Sequence, residues 1–237
     1  AGTAVSTSPA PNGRVILETR HGQHSAEEVA AHVYRHLRRL AEARFQARAR
    51  RAVLTVPASA TAASTAATVR AAEQAGFEVL DTVHEPTAAA VAFGADHFRG
   101  QRRLLAYDFG GGTFDCTLME QRDADIAPLA VGGDASLGGD DFDAALAEQA
   151  AGEVWRRHRV ELQQDVVRWD RVLQAAETTK RALSAMPAAR LRLKDAFSAG
   201  GRRHDLDLTL AREDIQPRWA ALVSRSLKVT AETMVRA

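Results

Sequence analysis

The stretch Leu105-Ala106-Tyr107-Asp108-Phe109-Gly110-Gly111-Gly112-Thr113-Phe114 sets a carboxylate, three glycines and a hydroxyl between two apolar runs. The second run continues through Asp115-Cys116-Thr117-Leu118-Met119. Both runs alternate at period two, which predicts a β-hairpin whose turn is all backbone. Glycines lack Cβ atoms, so a phosphate can approach the main chain and meet its N–H groups. Asp108, at the strand end, is placed to hold a hydrated Mg²⁺. Thr113 can donate its hydroxyl to a terminal phosphate. A glycine run alone is a weak signal. It is Asp108 and Thr113 on its flanks that turn the reading toward a nucleotide.

A second group lies on a predicted helix. Glu177, Lys180, Arg181 and Ser184 are spaced by three, one and three residues, which at about 100° per residue forms one stripe no wider than ~100°. Val166, Trp169, Leu173, Ala176 and Leu183 mark the buried side of that helix, and their rhythm continues onto Lys180. A guanidinium such as Arg181 can stack flat on a purine. Glu177 and Lys180 can hydrogen-bond ribose hydroxyls, and Ser184 can reach a base nitrogen. Taken alone, the stripe better fits a surface helix with an i,i+4 Glu–Arg pair, since charge runs usually face solvent.

The elements that must position these groups follow from local signals. Residues 14–18 read as a short strand after an irregular N-terminal segment, residues 1–12. Ser25-Ala26-Glu27-Glu28 is a capping-box pattern that starts a helix, with Val29, Val33, Leu37, Leu40 and Arg44 on one face. Residues 52–56 form a buried-type strand ended by Pro57. A helix over 62–75 stops at Gly76, a strand covers 77–83, and Glu85-Pro86-Thr87 opens a short helix that Gly94 closes. Residues 96–103 are polar and read as a boundary. After the glycine hairpin come a strand over 126–131, a loop over 132–139, and a helix led by Asp140 and Asp141. A helix over 165–185, strands over 190–197 and 204–210, and a helix from Arg212 still running at Ala237 complete the chain.

The 237 residues carry a net charge of +1, so no strongly basic surface points to nucleic acid or an anionic membrane. No apolar run approaches the ~20 residues of a membrane-spanning helix, and no secretory signal is visible. The single cysteine, Cys116, reads as a small buried hydrophobe in a strand, and a reducing compartment is the simplest setting. His32 and His36 share a helix face, with His21 and His24 before it. With no cysteine beside them they read as a solvated face rather than a zinc site. Trp155, Trp169 and Trp219 read as core or rim packing.

Taken in order, several segments resemble the ATPase domain of the seventy-kilodalton heat-shock chaperones (DnaK-type), in the actin-like ATPase superfamily. They are Ala52-Val53-Leu54-Thr55-Val56-Pro57-Ala58, Gly76-Phe77-Glu78-Val79-Leu80, Glu85-Pro86-Thr87-Ala88-Ala89-Ala90, residues 108–115, Leu137-Gly138-Gly139-Asp140-Asp141-Phe142-Asp143, and residues 177–184. The resemblance implies an α/β, actin-like ATPase (ribonuclease-H-like) two-lobe fold, present in part and with a helical subdomain. Residues 1–98 would be the C-terminal part of the first lobe. Residues 99–237 would be the second lobe, truncated at its C-terminus. It further implies ATP or ADP with Mg²⁺ as cofactors, a cytoplasmic setting, and protein folding driven by ATP hydrolysis. The expected partners are client proteins bound through a separate domain, a J-domain co-chaperone and a nucleotide-exchange factor, with neither nucleic acid nor membrane.

The family's roles carry over position by position. Gly110, Gly111, Gly112 and Thr113 resemble the second phosphate-binding hairpin, gripping the β- and γ-phosphates, and Gly138 and Gly139 belong to the same cofactor-binding set. Asp108 resembles the carboxylate that holds Mg²⁺ through water. Glu85 resembles the acid that orients the metal shell and attacking water, and Asp115 a second acid supporting that water. Pro57 resembles a proline that relays lobe motion. Glu177, Lys180, Arg181 and Ser184 match the adenosine-contacting helix. Some motifs have no counterpart in these residues: the family's first phosphate-binding hairpin, the catalytic lysine after it, and the later glycine motif of the adenine pocket. Ser59 and Ala60 stand where the family usually has an aromatic pair, and Thr65 falls near its basic relay residue. The expectation is therefore a piece that alone is nearly inactive. Two other readings share the glycine hairpin: a non-catalytic actin-like scaffold or filament protein, which need not keep Glu85 and Asp115, and a sugar or acid kinase, which should lack the 177–184 stripe.

Overall fold

The computed structural model describes residues 6–9, 15–19, 22–94 and 99–237. They form a mixed α/β structure that divides into two compact units. One takes residues 6–106 and Cys116–Val131; the other takes Tyr107–Asp115 and Gly132–Arg236.

In the first unit, β1 (Ser6–Pro9), β2 (Val15–Thr19) and β3 (Gly22–Ser25) form an antiparallel sheet in that order. A strand at residues 6–9 thus replaces part of the irregular segment expected there. Helix α1 (Ala26–Phe45) opens on the predicted capping box. The Ser25 hydroxyl accepts the Glu28 N–H at 3.2 Å, and the Glu28 carboxylate accepts the Ser25 N–H at 2.7 Å. That backbone bond, followed by the Ser25 hydroxyl, holds the Glu28 carboxyl below its ordinary value. Strands β4 (Arg51–Val56) and β5 (Glu78–His84) pair in parallel across α2 (Ala62–Gln74), the crossover that parallel neighbours require. Gly76 takes φ +86° just after α2, a left-handed stop that glycine adopts without strain. Helix α3 (Glu85–Ala92) follows directly on β5.

Helices α1 and α2 pack together, and Ala31 on α1 and Ala71 and Ala72 on α2 are buried. Arg38 donates to the Ala75 carbonyl at 2.7 Å, and Arg70 pairs with Glu27 at 2.9 Å. The apolar face of α1 read from the sequence lies elsewhere: Val29, Val33, Leu37 and Leu40 are all exposed. The buried side chains of these two helices are alanines rather than the larger aliphatic ones.

Strands β6 (Gln101–Phe109), β7 (Phe114–Arg122) and β8 (Asp125–Asp134) form a sheet in that order. Gln101, Arg102 and Arg103 belong to β6 instead of the polar boundary expected at 96–103; residues 95–98 lie outside the described set. Strand β8 also runs further than expected, taking in Gly132, Gly133 and Asp134. Beyond it come α4 (Gly139–His158), a single 3-10 turn at Leu162–Gln164, α5 (Val166–Ala185), the antiparallel pair β9 (Ala188–Ala199) and β10 (Arg202–Ala211), and α6 (Arg212–Val235). Leu146, Leu162, Val172, Ala176, Leu183, Leu191 and Ile215 make the core of this second unit.

Two helices differ in detail from expectation. Helix α6 ends at Val235 with Arg236 as its cap, short of Ala237. On α5 the fully buried positions are Val172, Ala176, Thr179 and Leu183, while Val166 is 57% exposed. Val166 is the first helical residue, beside the solvent-exposed cap Asp165, so its apolar character does not place it in the core.

Candidate functional site

The glycine turn joins β6 to β7 through residues 110–113. The Gly110 N–H donates to the Thr113 carbonyl at 2.9 Å and closes the turn. Beneath it, Phe114 is fully buried, with its ring 4.6 Å from Tyr107 and 5.6 Å from Phe109. Phe109 in turn meets the edge of Phe142 on α4 at 5.7 Å. The Tyr107 hydroxyl and Ser226 Oγ on α6 lie 2.5 Å apart. Phe114 is thus held inside and Phe109 half-buried, while Tyr107, Asp108, Gly111, Gly112 and Thr113 stay exposed.

Helix α4 begins against this turn. The Gly139 N–H donates to the Gly110 carbonyl at 2.9 Å, and the Asp140 N–H to the Gly111 carbonyl at 2.8 Å. These are two of the N–H groups that a helix start leaves without helical acceptors. The glycine turn therefore has its carbonyls engaged. Among the described residues, the N–H groups of Gly111 and Gly112 have no protein acceptor. Gly138 makes the approach possible: a Cβ there would sit 2.2 Å from the Gly111 oxygen. Its backbone is extended (φ −167°), so the requirement is for space alone. Gly133 plays the same part beside Asp115, where a Cβ would lie 2.9 Å from a carboxylate oxygen.

Three carboxylates gather about the turn. Asp115 is half-buried, and its carboxyl is raised above the ordinary range, first by burial and then by the neighbouring charge of Asp108; a hydrogen bond from Thr113 opposes both. The Asp140 carboxylate lies about the glycines, with its oxygens 3.8 and 4.0 Å from where Cβ atoms on Gly111 and Gly112 would be. Mutual repulsion of this kind is what a bound cation relieves, and an all-oxygen set suits a hard ion such as Mg²⁺. Among the described residues, no group of three or more His, Cys, Asp or Glu side chains is disposed to ligate an ion directly. Binding through water needs fewer. The same statement covers His24, His32 and His36; His21 lies outside the described residues.

The α5 stripe reaches the turn through one side chain. Lys180 Nζ donates to the Gly139 carbonyl at 2.9 Å and to Asp143 Oδ2 at 2.8 Å. Since Gly139 is itself bonded to Gly110, Lys180 stands one residue from the glycine hairpin. Glu177 and Arg181 pair with each other at 2.6 Å, and the Ser184 hydroxyl donates to the Arg181 carbonyl at 2.6 Å. Lys180 is turned toward α4 while Arg181 is 77% exposed, as their adjacent places on the helix require.

Glu85 and Pro57 belong to the first unit: Glu85 is the first residue of α3, and Pro57 follows the end of β4. Three residues at the turn are given no site role by the motifs: Gly133, Asp140 as a neighbour of the glycines, and Asp143. For Asp143 a signal existed. A helix that starts at Gly139 brings residue 143 back over residue 139 after one turn, onto the side that faces Lys180.

A family model described as Hsp70 protein matches residues 3–237. Members of that family have the actin-like ATPase fold and are ATP-hydrolysing chaperones, in keeping with the mixed α/β structure and the carboxylate-flanked glycine turn. With this match over nearly its full length, the chain belongs to the Hsp70 family.

Proposed function

We propose that the glycine turn, the start of α4 and the inner edge of α5 form the nucleotide site of a two-lobe, ATP-driven chaperone domain. The observation that carries this reading is the single line of contacts from the Lys180 ammonium to the Gly139 carbonyl, and from the Gly139 N–H to the Gly110 carbonyl. It sets a residue suited to ribose beside a turn suited to phosphates. The open N–H groups of Gly111 and Gly112 receive phosphate oxygens, with Thr113 donating its hydroxyl to the terminal group. Asp108 holds the water shell of the metal, which when bound neutralises phosphate charge. Asp115 orients the attacking water, and its raised carboxyl suits a group that shares a proton with it. On α5, Glu177 and Lys180 address the ribose, Arg181 stacks on the purine once released from Glu177, and Ser184 turns from its own helix carbonyl to the base. Pro57 passes lobe motion onward, and the parent works with client proteins, a J-domain co-chaperone and an exchange factor.

Phosphoryl transfer depends on clamping the phosphates and metal from all sides. The family's first phosphate hairpin and its lysine have no counterpart in this sequence, so these residues alone bind ATP weakly and turn it over slowly. Titration with a fluorescent ATP analogue tests the site. Lys180→Ala and Arg181→Ala should each weaken binding by about tenfold, the worth of a charge-assisted contact. Unchanged affinity in both removes the adenosine assignment. Single-turnover hydrolysis at the rate of a full-length chaperone would remove the claim of low activity. ATP-dependent pelleting would instead favour the filament reading.

A further inference from the structure

We infer that Asp143, a residue outside the motif-matched nucleotide contacts, is the positioning residue that aims the Lys180 ammonium at the nucleotide sugar. The inference rests on the reading of Lys180 as a ribose contact and deepens it.

The Asp143 side chain is only 9% exposed. One oxygen takes Lys180 Nζ at 2.8 Å; the other, Oδ1, is buried and has no hydrogen-bond partner. A half-satisfied buried carboxylate weakens a fold. Burial raises its carboxyl above the ordinary range, and Glu177 and Asp140 push the same way against Lys180. Packing does not call for such a group, since an apolar side chain between α4 and α5 would serve it better.

The geometry gives the charge a use. An ammonium has three N–H donors at tetrahedral angles. Asp143 and the Gly139 carbonyl take two of them. Two fixed directions fix the third, so the remaining N–H is offered along one line before any ligand arrives. Loss of the Asp143 contact leaves the ammonium tied at one point and free to turn. A free lysine head must be ordered by the ligand itself, at a cost in affinity. Asp143 touches no ligand in this scheme; it acts through Lys180 and governs how strongly a sugar hydroxyl is felt.

The test compares ATP with its 2′,3′-dideoxy analogue, by competition against a fluorescent nucleotide on the full 237-residue chain. The wild type should prefer ATP. Asp143→Asn keeps the shape and removes the charge; it should weaken ATP by about tenfold, as expected for a charge-assisted bond, and shift the dideoxy analogue by less than about twofold, so that the ratio collapses. Lys180→Ala should collapse the same ratio, and the double variant should lose nothing further. General loosening of the site would weaken both nucleotides alike and keep the ratio, which overturns the role of Asp143 while leaving Lys180 in place. A wild type that does not distinguish the two nucleotides overturns the ribose reading of Lys180, and this inference falls with it. If Asp143→Asn does not fold, Asp143→Ser removes the same charge with less bulk and is read by the same ratio.

Discussion

Asp115 shows what the chemistry of this site costs the fold. Its carboxyl is raised by burial and by Asp108, so the folded chain binds the Asp115 proton more tightly than the unfolded chain does. Linkage then fixes the sign. The penalty for its charge is in force above the raised value. It disappears as the pH falls below the ordinary carboxylate range. Asp115→Asn should therefore melt higher than the wild type near neutral pH, with the gap closing toward acid, while single-turnover ATP hydrolysis by a chain carrying the complete site falls. A melting temperature that drops at neutral pH would mean that the Thr113 contact outweighs the repulsion. Asp108 and Thr113 stand out in the sequence because their spacing around three glycines is a local pattern, whereas Asp115 is proposed only through the family resemblance. For Asp143 only half the signal is local, its return over Gly139 after one helical turn; its pairing with Lys180 depends on α4 and α5 coming together, which no spacing within one segment encodes.

At the scale of elements, the glycine loop and the start of α4 are held by backbone rather than by side chains. Gly138→Ala would drive a Cβ to 2.2 Å from the Gly111 oxygen, and neither backbone can yield without breaking the bonds from Gly139 and Asp140 into the turn. The expected cost is about 2–3 kcal/mol, the upper range of overpacking, read by denaturant unfolding, with faster amide exchange at Gly139 and Asp140. The α1 cap provides a contrast within the other unit: Ser25→Ala should cost about 1 kcal/mol and leave exchange in α4 unchanged. Caps, glycine stops and the starts of α1, α3 and α5 were readable because each is decided within four or five residues. The extension of β8 to Asp134 was not, since Gly132-Gly133 weakens strand propensity. It becomes a strand through packing: a Cβ on Gly132 would meet Thr233 Oγ1 on α6 at 1.9 Å, and Asp134 pairs with Arg225 at 2.6 Å. The exposed apolar face of α1 was misleading for the same reason. Periodicity says that a face is apolar, not which neighbour covers it.

Across the whole molecule, the proposed sugar, base and phosphate contacts fall in one unit. Residues 110–113, 138–139 and 177–184 all fall in the unit built on β9, β10 and helices α4 to α6, whereas Glu85 and Pro57 fall in the unit built on β4, β5 and α1 to α3. The sequence motifs propose both sets, but their division between units comes from long-range contacts and is invisible to a linear scan; strands β6 to β8 are themselves divided partway along their length. A ligand stabilises whatever must open to release it, by RT ln(1 + [L]/Kd), or about 2.7 kcal/mol at a hundredfold excess over Kd. If the sugar, base and phosphate contacts lie where proposed, saturating Mg·ATP should slow the slowest-exchanging amides of α5 and β9 by up to about 100-fold. Those of α2 and β4 should change little, because the proposed sugar, base and phosphate contacts all lie in the other unit. Hydrogen exchange with and without nucleotide reads both sets in one experiment. Equal slowing in α2 and α5 would show that the ligand does not act through the glycine turn and Lys180, and the assignment of the grip to them would fail.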